Sequence, residues 1–318
     1  MATIQIKNIG PITDTGIIPL TSVMLVIGKQ SSGKSTFLKI LCFCRWMEKL
    51  IMVSDEEAIS QYTHNLKFLK SMKQFHRFND SYFSSASSIR YEGDTITITM
   101  ENILSDVKIL RKPEFETVRY NTKLSFIPSE RNLVSVIRNI DQSYRSAESD
   151  VLFNYIFEWG EAKDSYTAEH PKRLSFTDNI EYINDGGNDL VRLINENKMI
   201  PAYYASSGVQ SAMPLDVMAD YFTGLVGKNA SVSKHDLANT LARYLGKDKE
   251  LTNEMLKSIS NKMKYQSVQL FIEEPEQNLY PDSQRNLTIN LVCALKQAMP
   301  KGRGDSMLAV SYTHLTLP

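Results

Sequence analysis

One short segment near the N-terminus constrains the fold of this chain more than any other feature. Residues 28–35 read GKQSSGKS and match the pattern G-x-x-x-x-G-K-[ST] in full. A continuous apolar run over residues 23–27 precedes this segment and predicts a buried strand, and helical spacing of apolar residues begins near Ser35. Because strand, glycine-containing loop and helix in this order form a phosphate-binding loop, the pattern predicts an α/β fold.

The residue types in this loop suit the phosphate groups of a nucleotide. Glycines let backbone N–H groups turn toward phosphate oxygens, and the N-terminus of the following helix adds a favourable dipole. Lys34 is expected to reach the β- and γ-phosphates, and Ser35 to ligate Mg²⁺. A chance match on a serine-glycine turn is the alternative, and the flanking strand and helix disfavour it. The predicted nucleotide-binding residues of this segment are Gly28, Lys29, Gln30, Ser31, Ser32, Gly33, Lys34, Ser35 and Thr36.

A second apolar run, residues 268–272, ends in two adjacent carboxylates, Glu273 and Glu274. Ligands of open α/β sheets bind at the carboxyl ends of the strands. We therefore expect Glu273 to hold Mg²⁺, directly or through water, and Glu274 to polarise an attacking water as the catalytic base. Solvated acids after a strand are the alternative, which the phosphate loop disfavours. The loop and the carboxylates are expected at the ends of adjacent core strands.

A third segment, residues 206–210, reads SSGVQ and precedes a helical pattern. Taken alone, such a serine-glycine turn is most often a helix cap. The three segments nevertheless occur in the order found in the ATP-binding-cassette ATPases, and the chain resembles in particular their soluble SMC/RecF-like and overcoming-lysogenization-defect type group. Residues 28–35 match the Walker A motif, residues 206–210 the signature motif, and residues 270–274 Walker B with its catalytic glutamate.

This resemblance implies roles for further residues. Ser207, Gly208 and Gln210 would bind nucleotide, and His314 stands where the family has a catalytic switch histidine. Residues 276–281 (EQNLYP) resemble the D-loop segment. Residues 126–131 (FIPSER) resemble an IPxER segment that falls near the Q-loop.

The chain departs from the family pattern in three ways, one of which is that no aromatic residue is clearly placed to stack on adenine. Walker B usually ends in aspartate, where this chain has Glu273. No Q-loop glutamine is identifiable, and Glu130 or Arg131 is expected to line that region instead.

The implied fold is an α/β P-loop NTPase of the cassette-ATPase type, with a mixed core sheet, an antiparallel β subdomain and a helical signature lobe. Residues 1–318 would form one ATPase head. Its parts are an N-lobe (1–131), a helical arm with the signature lobe (132–262), a core return with Walker B (263–310) and a tail (311–318). Two interpretations of the tail stay open, because SYTHLTLP also resembles a vector- or adapter-derived ending.

The implied activity is Mg²⁺-dependent hydrolysis of ATP by a homodimer with composite sites, serving DNA maintenance or phage defence with DNA or an effector protein as partner. A long coiled coil is excluded by length, and a helical arm over residues 132–175 is the longest that fits. Two alternatives stay open: the energising subunit of a membrane transporter, and a nucleotide-binding regulator with little turnover.

Charge and composition exclude other classes of protein. Lys+Arg and Asp+Glu each number 36, so strong attraction of the whole molecule to nucleic acid or anionic membrane is not expected. No stretch approaches the roughly 20 apolar residues of a membrane helix, and the N-terminus lacks signal-peptide features. A cytoplasmic protein without membrane insertion is predicted. Its cysteines, Cys42, Cys44 and Cys293, are expected to be buried and reduced. The histidines without metal-ligand spacing are expected to be exposed or hydrogen-bonded: His64, His76, His170 and His235.

Alternation of apolar residues and turn signals predict the remaining elements. A strand is expected around Ile4, Ile6 and Ile9, and hairpins are expected to turn at residues 92–94 and 185–188. Further elements are predicted as strands at 17–20, 123–127 and 307–310, and as helices at 132–165, 211–262 and 286–296.

Overall fold

A computed structural model describes most of the chain: residues 1–53, 57–113, 120–138, 140, 150–228, 232–234, 236–237, 264–299 and 306–313. Its strands are β1 (Thr3–Ile9), β2 (Ile12–Asp14), β3 (Ile18–Pro19), β4 (Val23–Ile27), β5 (Phe83–Glu92), β6 (Ile96–Met100), β7 (Lys108–Arg111), β8 (Thr122–Ile127), β9 (Lys172–Arg173), β10 (Ile180–Asp185), β11 (Asn188–Leu193), β12 (Lys198–Pro201), β13 (Ser267–Glu273) and β14 (Met307–Tyr312). Its α-helices are α1 (Lys34–Val53), α2 (Glu57–Tyr62), α3 (Lys67–His76), α4 (Leu133–Val136), α5 (Val151–Lys163), α6 (Ser207–Leu225) and α7 (Pro281–Ala298).

A four-stranded parallel sheet carries the predicted site. Its strand order is β4-β14-β13-β8. Helix α1 packs against one face, and α6 and α7 pack against the other. Because both faces are covered, every residue of β13 and β14 is buried. The fold is α/β as predicted, but the central sheet is wholly parallel within the described residues, so the expectation of a mixed core sheet was wrong.

Strand β4 forms as predicted, but its burial was predicted wrongly. The exposed fractions of Val23, Leu25 and Ile27 are 36, 47 and 56%. These side chains share a face with their register partners on β14, which α7 covers. Strand β4 lies at the edge of the sheet in the described part of the chain, so this face stays open there. A continuous apolar run therefore did not mean a buried strand.

The antiparallel part comprises two sheets rather than the single subdomain expected. The first has the order β2-β1-β5-β6-β7, with β3 also paired to β1. The predicted hairpin around Gly93 joins β5 to β6. Ile4, Ile6 and Ile9 are all buried, although their spacing breaks the period of two. A register shift at Asn8, whose φ is +51°, accommodates the extra residue.

The second antiparallel sheet has the order β12-β11-β10-β9. Its β10–β11 hairpin turns at the predicted position, at Gly186 and Gly187. Strands β9 and β12 have no counterpart in the sequence prediction. Helix α5 ends at Lys163 and β9 occupies residues 172–173, so the helical arm stops short of residue 175, the limit that chain length allows. Residue 139 and residues 141–149 of that predicted arm lie outside the described residues.

Helices α1 and α7 form where helical spacing predicts them, whereas α6 begins at Ser207, four residues before its predicted start at 211. Gly227, with φ +83°, follows the end of α6, and most of the remaining predicted helix, residues 238–262, lies outside the described residues. Cys42 and Cys44 are buried as expected, but Cys293 is exposed on α7. No helix in the described ranges is both long and apolar enough to cross a bilayer.

His76 contradicts the expectation that the histidines are exposed or hydrogen-bonded. Its ring is fully buried at the end of α3, with the rings of Phe75 and Phe126 at centroid distances of 4.9 and 5.3 Å. Neither ring nitrogen has a hydrogen-bond partner within the described structure. Burial, together with the charge of Lys39, lowers the pKa of His76 well below its ordinary value.

This burial predicts a pH-dependent loss of stability. Unfolded His76 binds a proton near its ordinary pKa of about 6.5, whereas burial makes protonation less favourable in the folded state, so stability falls as the pH drops below that value. A difference of one bound proton limits this loss to at most about 1.4 kcal/mol per pH unit. In His76→Phe, urea unfolding should show a weaker pH slope, by up to this amount. The exposed control, His64→Gln, should keep the wild-type slope, and an unchanged slope in His76→Phe would contradict the prediction.

Candidate functional site

The loop between β4 and α1 has a conformation set by two residues with positive φ. Ser31 has φ +60° and Gly33 has φ +95°. A Cβ atom on Gly33 would lie 2.7 Å from Cγ1 of Ile12, so both the backbone angle and the space require glycine there. Helix α1 then starts with the N–H of Phe37 donating to the carbonyl of Gly33 at 2.8 Å. The loop therefore runs directly into a helix N-terminus.

Lys34 reaches back across this loop. Its Nζ donates to the carbonyl oxygens of Gly28 and Lys29, both at 2.8 Å. The side chain is buried, and it makes no ion pair within the described residues. An ammonium group has three donors, so the two carbonyls leave one donor for a further acceptor. The loop therefore presents, at the N-terminus of α1, a lysine without a carboxylate partner in the described residues.

The other loop residues differ in exposure. Lys29, Gln30, Ser31 and Ser32 are exposed, whereas Gly28, Gly33 and Ser35 are half-buried and Thr36 is buried. A cavity of about 550 Å³ opens beside the loop, between the β1–β2 turn and β4. Its volume falls in the range of small-molecule sites. Residues of both the turn and the loop line it, among them Ile12, Thr15, Val26, Ser32, Gly33 and Lys34.

Glu273 ends β13 as a buried carboxylate. Its Oε2 accepts the Ser129 N–H at 3.3 Å, and its buried Oε1 has no hydrogen-bond partner in the described structure. Burial raises the pKa of Glu273, while the charge of Lys39, the hydroxyl of Ser35 and the Ser129 N–H oppose this shift. The Ser35 hydroxyl thus lies beside Glu273. A buried carboxylate oxygen without a hydrogen-bond partner is costly, and a nearby cation would lower that cost.

Glu274 has a different environment from its neighbour. It is half-buried, and its φ of +44° places it in the left-handed region. Its N–H donates to the Ser311 carbonyl at 3.0 Å, and its Oε1 accepts the Thr313 hydroxyl at 3.2 Å. Its carbonyl accepts Nη2 of Arg131 at 2.6 Å. The carboxylate is therefore accessible to a substrate while the backbone is fixed from two sides.

The loop and the carboxylates were expected on adjacent strands, and this expectation was wrong. Strand β14 lies between β4 and β13. Because all three strands are parallel, the loop after β4 and the carboxylates after β13 still meet at one edge of the sheet. The intervening strand brings Ser311 and Thr313 to that edge, where both contact Glu274.

The SSGVQ segment begins α6. Ser206 is its N-cap and Ser207 its first residue, and both are exposed. Gly208 is closely packed, since a Cβ atom there would lie 2.7 Å from the carbonyl oxygen of Asn278. The Gln210 amide donates to the carbonyls of Ala202 and Tyr203, at 3.3 and 2.9 Å.

This arrangement separates the segment from the loop of the same chain. No hydrogen bond among the described residues joins residues 206–210 to residues 28–36. Gln210 holds the turn before α6 instead of pointing to the loop. The structure thus brings the loop and the carboxylates together, whereas the SSGVQ segment packs against Asn278, after the carboxylates, and makes no hydrogen bond to the loop in the described structure.

Two functional candidates at this edge were not identified fully from sequence. Arg131 was expected only to line the region of the Q-loop, whereas it is fully buried and contacts the backbones of both glutamates. The FIPSER segment was the available signal. The other is Thr313, which the sequence analysis placed in the tail (311–318) without giving it a role. His314 lies outside the described residues, and no group of three or more metal-ligating His, Cys, Asp or Glu side chains occurs within them.

The fold and the site together define an α/β protein with a lysine-bearing loop between a strand and a helix, facing a pair of carboxylates. No protein-family model matches the chain, and no curated protein matches its sequence. Its function is therefore inferred from the geometry of the site and from the motifs that form it.

Proposed function

We propose that this protein binds ATP and hydrolyses it to ADP and phosphate in a Mg²⁺-dependent reaction, as an ATPase of the cassette type. One observation carries the proposal: the Lys34 ammonium group lies at a helix N-terminus, and at the same sheet edge β13 ends in Glu273, which Glu274 follows directly. On the resemblance to SMC/RecF-like and overcoming-lysogenization-defect type proteins, the setting is DNA maintenance or phage defence in the cytoplasm. DNA or an effector protein would be the partner.

The loop supplies what a triphosphate needs. Lys34 is bound only to neutral carbonyls, so phosphate oxygens are stronger acceptors for its donors than its present partners. Backbone N–H groups at the start of α1 point toward the same place. The adjoining cavity of about 550 Å³ has room for the nucleoside.

The residues present also fit a Mg²⁺ ion. Glu273 has a buried oxygen without a partner in the described structure, and the Ser35 hydroxyl lies beside that carboxylate. Carboxylate and hydroxyl oxygens are the hard ligands that Mg²⁺ prefers. Ser35 and Glu273 would hold the ion, which when bound supplies positive charge to the β- and γ-phosphates.

Glu274 acts as the general base in this proposal. Water attacks the γ-phosphorus, its proton passes to the Glu274 carboxylate, and the bond from the γ-phosphorus to the bridging oxygen breaks. Arg131 and Ser311 fix the backbone of Glu274, and Thr313 contacts its carboxylate, so the base is oriented before the substrate arrives.

A second copy of the chain completes the site. Ser207 is exposed at the N-terminus of α6 and makes no hydrogen bond to the loop of its own chain in the described structure. Its hydroxyl and the helix N-terminus suit a γ-phosphate. Two chains arranged head to tail would each place Ser207 and Gly208 against the ATP of the other, and ATP would shift the population toward the dimer.

Lys34→Ala tests binding. Loss of a charge-assisted contact should weaken Mg-ATP binding by about 10- to 100-fold in isothermal titration. Lys70→Ala is the matched control, since it removes an exposed lysine of α3 and should keep wild-type affinity. Equal affinity of Lys34→Ala and wild type would contradict the assignment of the loop.

Glu274→Gln tests hydrolysis. The amide keeps the size of the side chain but cannot accept the proton, so turnover should fall by about 10²-fold or more while ATP still binds. Glu273→Gln should instead weaken Mg²⁺ binding, so that half-maximal turnover needs a higher Mg²⁺ concentration. Normal turnover in Glu274→Gln with loss in Glu273→Gln would reverse the two roles. Binding without turnover in the wild type would favour the nucleotide-binding regulator.

Ser207→Arg tests the composite site. Sedimentation of Glu274→Gln should show dimers only with Mg-ATP, and adding Ser207→Arg should abolish them. Lys34→Ala and Ser207→Arg should each be inactive, and their mixture should regain part of the activity through one intact site. A monomer under all conditions, with normal ATPase activity in Ser207→Arg, would refute the dimer.

A further inference from the structure

Arg131 is one of the largest fully buried side chains in the described structure, and its surroundings are unusual for a cation. Its guanidinium donates only to backbone carbonyls: Nε to Ser211 at 2.8 Å, Nη1 to Glu273 at 2.6 Å and Nη2 to Glu274 at 2.6 Å. Nη1 also lies 3.4 Å from the carbonyl of Pro128. One side chain therefore joins the turn after β8, the end of β13 and the first turns of α6.

A buried cation is costly unless its surroundings compensate for the lost hydration. Burial lowers the pKa of Arg131, and Tyr155 with the carboxylates of Glu276, Glu274 and Glu273 opposes that shift. The charge is thus balanced by the carboxylates of the site without a direct ion pair. The group does not face a ligand, because its side chain is closed to solvent and each of its three nitrogens already donates to a backbone carbonyl. A direct contact from Arg131 to phosphate is therefore disfavoured.

The contacts of Arg131 depend on the backbone of Glu274. In an extended strand, consecutive carbonyls point to opposite sides. Here the carbonyls of Glu273 and Glu274 accept from the same guanidinium, while Glu274 has a φ of +44°. The left-handed conformation turns the second carbonyl toward Arg131, and these hydrogen bonds stabilise that uncommon conformation. Because the backbone angle sets the direction of the side chain, Arg131 sets the direction of the Glu274 carboxylate.

The same guanidinium holds α6 one turn beyond Ser207. Ser211 accepts Nε through its carbonyl, and its hydroxyl accepts from the Asn278 amide at 3.0 Å. Gly208 packs against the Asn278 carbonyl. A shift of the α6 N-terminus would therefore move the Ser211 carbonyl and the segment after Glu274 together. The contact through Arg131 and the contacts through Asn278 therefore both lead to the backbone around Glu274, the proposed base.

We infer that Arg131 is a positioning residue that couples the N-terminus of α6 to the Glu274 carboxylate. Through it, a γ-phosphate of the partner chain's ATP bound at Ser207 sets the orientation of the base in the other site. The inference rests on the proposed ATPase function, and it assigns to Arg131 a role in timing hydrolysis rather than in binding nucleotide.

Arg131→Lys is the first test. Lysine keeps the charge, but its single nitrogen cannot replace the three nitrogens of the planar guanidinium. It therefore cannot reach the carbonyls of α6 and of Glu273 and Glu274 at the same time. Turnover at saturating Mg-ATP should fall by about 10- to 100-fold, whereas the dissociation constant of Mg-ATP stays within about threefold of wild type. Arg45→Lys is the matched control, since Arg45 is also buried and charged but pairs with Glu48 and Asp94. It should lower thermal stability and leave turnover unchanged.

A double-mutant cycle separates coupling from general damage. If Arg131 transmits the effect of Ser207, then Ser207→Ala should reduce turnover in the wild type but not further in Arg131→Lys. If the turnover losses of Ser207→Ala and Arg131→Lys multiply in the double mutant, the inference is overturned.

Tyr155→Phe provides a milder variant should Arg131→Lys fail to fold, because it removes only the hydroxyl that donates to the Arg131 carbonyl at 2.7 Å. It should lower turnover by about 2- to 10-fold with unchanged affinity.

Amide hydrogen exchange tests the link between α6 and Glu274 without any measurement of turnover. In Arg131→Lys free of nucleotide, the amides of residue 274 and residues 276–279 should exchange at least about tenfold faster than in wild type, while those of residues 268–272 keep their rates. Equal rates at residues 274 and 276–279 would overturn the inference. A wild type without ATPase activity that still shows this difference would refute the proposed function and the timing role, and would leave only the link between α6 and Glu274.

Discussion

The parallel pairing of β14 with both β4 and β13 is the constraint on which the site depends. It places the loop of one strand and the carboxylates of another at a single edge, although the two strands do not touch. Parallel strands need coverage on both faces, and α1 supplies it on one side while α6 and α7 supply it on the other. The helix that starts at the loop is thus also the helix that buries the sheet.

Charge at this edge is arranged in layers of decreasing exposure. Lys34 has carbonyl partners and no carboxylate within the described residues, so it stays available to an anion. Glu273 is buried with one free oxygen there, which suits a cation. Arg131 lies deepest and contacts only carbonyls. Of these groups, Glu273 and Arg131 act on each other electrostatically, because the carboxylate favours the charged guanidinium in this buried region.

The elements that were predicted correctly are those set by residues close together in the sequence. The loop, the hairpins at residues 92–94 and 185–188, and the strand before Glu273 follow from short-range patterns of turn and apolar residues, and all were predicted. The features that were predicted wrongly depend on contacts with residues that are distant in the sequence. The apolar run of β4 does not reveal that it is an edge strand, and His76 carries no sign that four aromatic rings surround it.

The sequence by itself determined the α/β class, the strand–loop–helix segment with Lys34, and the position of Glu273 and Glu274 at a strand end. Only the tertiary structure decided that β14 separates the two motifs, that Ser35 lies beside Glu273, and that Arg131 joins α6 to Glu274. The physical reason is the range of the interactions. Turns and apolar periodicity act within a few residues, whereas the contacts of Arg131 join residues 80 and 143 positions away in the chain.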